Sequence, residues 1–212
     1  MNRQTKISLK TVVRYIRDFS IVVAGIAVTL YVNDRVSGNS EKRDLKLYLN
    51  AVKMELEENI RYLEERKAQL PREFEYANYL KTHEKDNINW DIIASYARGG
   101  YADVDFVYFQ MASFEMFKSS GTMRLMQNKE TMLQIWKTYL KLHREEQALG
   151  TLTQIKIEEM KKWMDEKEKN PGIIPLHNYY KNNLVQRQLE IYEETSQILK
   201  EVVLALGNEL KD

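Results

Sequence analysis

One stretch constrains this chain more than any other: Phe19-Ser-Ile-Val-Val-Ala-Gly-Ile-Ala-Val-Thr-Leu-Tyr-Val32, a long uncharged run in a chain of which 30% is charged. A helix through such a run is apolar all round, so it belongs in a bilayer or in the centre of a core. Phe19 to Asn33 makes about 15 residues, or roughly 22 Å of helix, short of a typical hydrocarbon core. Arg14 and Asp18 stand four apart and can pair on one helix face, which extends the segment back to Val12. Val12 to Val32 then measures roughly 31 Å, with Arg17 able to snorkel and Tyr15 and Tyr31 placed as interfacial aromatics. The sequence therefore predicts a membrane anchor. A cleavable signal peptide is the competing reading, and Val36-Ser-Gly38 is its best, weak, cleavage site.

Within that anchor Gly25, Thr29 and Asn33 recur every four residues on one face. Small residues at that spacing let a second helix approach closely, and Asn33 can bond across the contact. Residues 1–38 carry six Lys and Arg against two Asp, although the whole chain is nearly neutral at +1. That places the N-terminus in the cytoplasm and the remainder outside. The near balance of charge gives no field for nucleic acid. The expected domains are 1–38, a basic N-terminus and anchor, and 39–212, a helical bundle.

The whole chain has three prolines, eight glycines and no cysteine, and residues 39–212 read as helix nearly throughout. Leu45, Leu49, Val52, Leu56, Leu63 and Leu70 form a near-heptad stripe, interrupted by Asn59 and Arg66. Pro71 suits a helix start, Gly121 a helix C-terminus and Asn128 an N-cap. Asp103 to Ser119, dense in phenylalanine, is expected as one helix at the heart of the core. Phe109, Phe114, Trp136, Leu199 and Val203 are expected to be buried. The segment 129–164 carries a second stripe, with Gly150 a place for a kink or break. Val185, Leu189, Tyr192, Leu199, Val203, Leu206 and Leu210 mark the clearest amphipathic helix, with Ser196 out of pattern. The fold class is all-α: an N-terminal transmembrane helix followed by an antiparallel helical bundle.

Sites for chemistry are sparse. His143 with Glu146 or Gln147 is a histidine-centred pair at helical spacing, outweighed by its reading as a solvated face. No phosphate loop, nucleophile elbow or zinc spacing occurs. No catalytic, metal or cofactor residue is predicted, and the chain is expected not to be an enzyme.

Asp18-Phe-Ser-Ile-Val-Val-Ala-Gly-Ile-Ala-Val-Thr-Leu-Tyr-Val-Asn33, the helix Tyr48-Leu-Asn-Ala-Val-Lys-Met-Glu-Leu-Glu-Glu-Asn59 and Ser119-Ser-Gly-Thr-Met-Arg-Leu-Met-Gln-Asn-Lys-Glu130 leading into Trp136-Lys-Thr-Tyr139 together resemble a family of uncharacterised Bacteroidota proteins. Members have one membrane helix and a helical domain of unknown function. The chain departs where that family often carries a tryptophan after the anchor's Asn, since Asp34-Arg35-Val36 stands there. The resemblance implies a single-pass protein of the bacterial inner membrane, with a periplasmic bundle. The expected function is a non-enzymatic scaffold or assembly partner at the envelope, joined to a protein partner or a second copy through the anchor and the proximal helix. The alternative is a sensor-like ligand-binding bundle using Tyr96 to Phe117 as a pocket wall.

Overall fold

A computed structural model describes residues 40–83, 87–170 and 172–211. The chain divides into two compact units, Met1–Lys46 and Leu47–Asp212, and of the first only 40–46, which are helical, are described. Helix α1 covers residues 40–67 and buries Leu49, Val52, Leu56 and Leu63 along one face. It ends in a turn at 68–70, where Pro71 opens α2 (Pro71–Thr82); its missing N–H costs nothing at that first position. α3 (Trp90–Ser95) begins on Asn89, whose side chain accepts from the amides of Asp91 and Ile92. A π-helical turn, Ala97–Tyr101, follows it. α4 (Ala112–Ser119) stops at Gly121, which takes the left-handed φ of 73° that glycine adopts without strain.

Asn128 then caps α5 (Lys129–Glu166), its side chain accepting from Glu130 and Thr131 N–H at 3.1 Å each. α5 runs unbroken through Gly150, so the break that this glycine allowed does not occur: one glycine costs about 1 kcal/mol, small beside the packing of a 38-residue helix. α6 (His177–Lys181) leads into α7 (Leu184–Glu209), which packs extensively against α5.

Bonds between helices fix their directions. Glu55 meets Tyr139, and further along Glu73 of α2 meets Lys156, so α1 with α2 runs parallel to α5. Glu64 meets Ser196 and Lys200 while Lys67 meets Glu193, so α7 runs antiparallel to α1. The bundle is thus of mixed direction, not the wholly antiparallel one expected.

The expected helix over 103–119 is corrected: only Ala112–Ser119 is helical. Residues 103–111 make no helix, and Val107 and Phe109 are buried while Phe106, Tyr108 and Gln110 are exposed. A period of two is that of extended chain. Phe109, Phe114 and Leu199 are buried as expected; Trp136 is 40% exposed, and Val203 only half-buried beside buried Val202. Phe114 stacks on Tyr139 with ring centroids 4.0 Å apart and planes at 5°, and meets Trp136 edge-on. Phe114→Ala is therefore expected to cost roughly 3–5 kcal/mol in urea unfolding, the range for large-to-small changes where the site cannot collapse. An unchanged unfolding midpoint would place the core elsewhere.

The membrane architecture is also corrected. Among the described residues no helix is long and apolar enough to cross a membrane. The expected anchor, Val12 to Val32, and its face of Gly25, Thr29 and Asn33 lie outside the described residues. What the structure supports is an all-α bundle. A transmembrane fold, inner-membrane localisation and partnership through an anchor have no support in it.

Candidate functional site

Among the described residues, the most deeply buried ion pair lies between α2, α5 and α6. Glu73 and Lys156 form an ion pair at 3.0 Å with side chains only 11% and 7% exposed. An isolated charge there would cost several kcal/mol, so what surrounds the pair decides its worth. The Lys156 ammonium donates to Glu73 Oε1 and to the carbonyls of Asp103, at 2.6 Å, and Gly100, at 3.4 Å. Three N–H donors thus have three acceptors. Two of these acceptors are carbonyls at the end of the π turn, where a cation is favoured. Glu73 Oε2 accepts from the Tyr180 hydroxyl at 2.9 Å. Burial, and then the Glu73 carboxylate beside it, pushes the Tyr180 phenol far above its ordinary range.

Tyrosines pack around this pair. Tyr76 lies 4.9 Å from Tyr180 and 5.0 Å from Tyr101 between ring centroids, and its hydroxyl donates to the Pro175 carbonyl at 2.8 Å. The rings fill the space between Tyr96 and Tyr101, so that part of the Tyr96 to Phe117 stretch packs as core, and the sensor-like alternative has no support. A small polar cavity of about 160 Å³ does sit above the pair, lined in part by Arg66, Glu73, Asp105, Thr153, Lys156 and Tyr192. Its lining groups already bond one another: Arg66 pairs with Asp105, and Gln188 bonds both Tyr179 and Tyr192.

A second buried carboxylate, Glu55, stands midway along α1. It accepts from the backbone N–H of Ser113 at 2.6 Å and of Phe114 at 3.3 Å, and from the Tyr139 hydroxyl at 2.7 Å. Met111 at the N-cap of α4 has no side chain able to cap it, and a carboxylate from another helix supplies the acceptor and the favourable charge.

Between these two carboxylates lies the extended segment 103–111. Asn59, 1% exposed, donates to the carbonyl of Gln110 at 2.8 Å and accepts its N–H at 2.9 Å. Tyr62 donates to the Phe106 carbonyl at 3.3 Å. From α5, Thr153 donates to the Asp105 carbonyl at 3.0 Å and Glu146 accepts the Phe109 N–H at 3.4 Å. Even-numbered backbone groups are thus held by α1 and odd-numbered ones by α5, the two edges of a lone strand bonded by side chains.

No predicted site residue falls here. His143 is exposed and its ring contacts Gln147, while Glu146 is engaged with Phe109, so the considered pair does not converge on a ligand. Among the described residues no group of three potential metal ligands occurs. Sequence reasoning missed Glu55, Glu73 and Lys156, whereas Asn59 stood out as a polar residue within the apolar stripe. Glu55 left a trace, being a polar residue four before Asn59 on the apolar side of α1.

Comparison with known proteins gives no matching family model, no matching curated protein and no matching solved structure. The resemblance to a Bacteroidota membrane family is therefore corrected too: no family model or relative supports it, and among the described residues no helix is long and apolar enough to be the anchor it implies.

Proposed function

We propose that this chain is a non-catalytic helical-bundle domain whose interior charges serve as clamps. The observation that carries this reading is the Lys156 ammonium, with each of its three donors spent on Glu73, Asp103 and Gly100. A lysine that acts as base or nucleophile needs a free lone pair and an approach for substrate; this one holds two carbonyls and a carboxylate. Glu73 and Glu55 support the same reading, because both oxygens of each accept hydrogen bonds.

Reactivity separates a clamp from a catalytic amine. In the folded protein, brief treatment with an amine-acylating reagent followed by peptide mass spectrometry is expected to leave Lys156 the slowest of the described lysines, with exposed Lys169 among the fast ones. Preferential acylation of Lys156 would overturn the proposal.

A further inference from the structure

We propose that the groove between α1 and α5 is a recognition site for an extended peptide, occupied at rest by the chain's own residues 103–111. This goes beyond the non-catalytic reading and is tested independently of it. The groove treats its occupant as a ligand. Asn59 and Tyr62 read the backbone from one side, and Glu146, Thr153 and Lys156 read it from the other. None of these bonds depends on which side chains the occupant carries. Selectivity comes from two inward positions, Val107 and Phe109, both buried, while Phe106 and Tyr108 face out, Tyr108 at 67% exposure. The Arg66 ion pair with the Asp105 carboxylate adds a preference for an acid two positions before the aliphatic residue, so such a surface favours acidic, aliphatic and aromatic residues at alternate positions of an extended segment, as strand-binding sites do.

The occupant in trans is a separate peptide segment of a partner, not the strap of a second copy. Tyr101 on one side and Phe114 on the other are buried. Exchange between two copies would have to extract both rings. A separate peptide needs only the residues between them to bow outward. The tethered strap competes at an effective concentration of order mM, so binding by the wild type is weak and loosening the strap strengthens it. Gln110→Pro loosens it selectively: the N–H bonded to Asn59 is lost, extended backbone is kept at Phe109, and no apolar contact is removed.

The probe is a capped, fluorophore-labelled peptide with the sequence of residues 103–111, titrated into full-length protein and followed by anisotropy. Saturable binding is expected, at least about tenfold tighter to Gln110→Pro than to wild type because the tethered competitor is weakened. A peptide with aspartate at the positions of Val107 and Phe109 should not bind. Equal binding of the two peptides, or no saturable binding to a cooperatively melting Gln110→Pro, overturns the proposal. A Gln110→Pro dimer formed without peptide overturns it in favour of strand exchange between copies. Should that variant not fold, wild type is challenged with excess peptide bearing a photo-crosslinker at the Val107 position. Crosslinks confined to α1 and α5 support the groove, and scattered or absent crosslinks overturn it.

Discussion

Raising the pH above 10 is expected to unfold the bundle in one cooperative step, with tyrosinate absorbance and loss of helical circular dichroism moving together. Burial, the first cause in each case, raises the phenols of Tyr76, Tyr139, Tyr179 and Tyr180 well above the ordinary value of 10.0. Nearby Glu55 raises Tyr139 further, and Glu73 does the same for Tyr179 and Tyr180. Because these folded-state values exceed the unfolded one, the contribution is complete below about pH 10. Above it the unfolded chain releases protons that the folded chain retains, and stability falls. Each such phenol costs about 1.4 kcal/mol per pH unit, so four together remove about 5, a large part of a domain's usual stability. Gradual ionisation of all tyrosines with the helical signal intact would contradict the burial described for these four.

The second large effect belongs to Lys156. Lys156→Met leaves Glu73 buried with the Tyr180 hydroxyl still bonded to it and takes the donor from the carbonyls of Gly100 and Asp103. Removing one member of a buried pair costs about 3–5 kcal/mol, whereas replacing both by apolar groups is often close to neutral. In urea unfolding, Lys156→Met should thus be clearly less stable than the double variant Lys156→Met with Glu73→Leu. If the single variant matches wild type, the pair contributes no net stability. If the double variant is the worse of the two, the carbonyls held by Lys156 matter more than the carboxylate.

Punctuation was the most legible part of this chain. Pro71, Gly121 and Asn128 act through local backbone chemistry, and each stands where the structure uses it. The α7 stripe was legible at Val185, Tyr192, Leu199 and Leu206, whereas Leu189, Val203 and Leu210 are only half-buried and Ile191, Thr195 and Val202 are buried instead. Ser196 is buried and donates to Glu64 at 2.9 Å; a hydroxyl with a partner on another helix occupies a core position without being apolar. The segment 103–111 was misread for a physical reason. Its inward Val107 and Phe109 alternate with Phe106 and Tyr108, which are also apolar, so the period of two is hidden when residues are scored for hydrophobicity alone. Trp136 lies under Lys118, whose ammonium is 5.8 Å from its ring centroid, at the rim and not in the interior. The buried charges were illegible because Glu73 and Lys156 are 83 residues apart, a separation at which no spacing rule applies.

The parallel course of α1 and α5 has a kinetic consequence. Antiparallel helices can zip from a shared turn, but parallel neighbours need a return leg between them. Residues 103–111 are that leg, passing Lys156, Thr153, Glu146 and then Asn59 as the chain travels back towards the start of α5. One contact between the two long helices, Glu55 with Tyr139, spans 84 residues. Loop closure on that scale precedes the contacts that reward it, so this all-helical chain should fold at the slow end for its class, with α5 finding α1 only after the return leg is laid down.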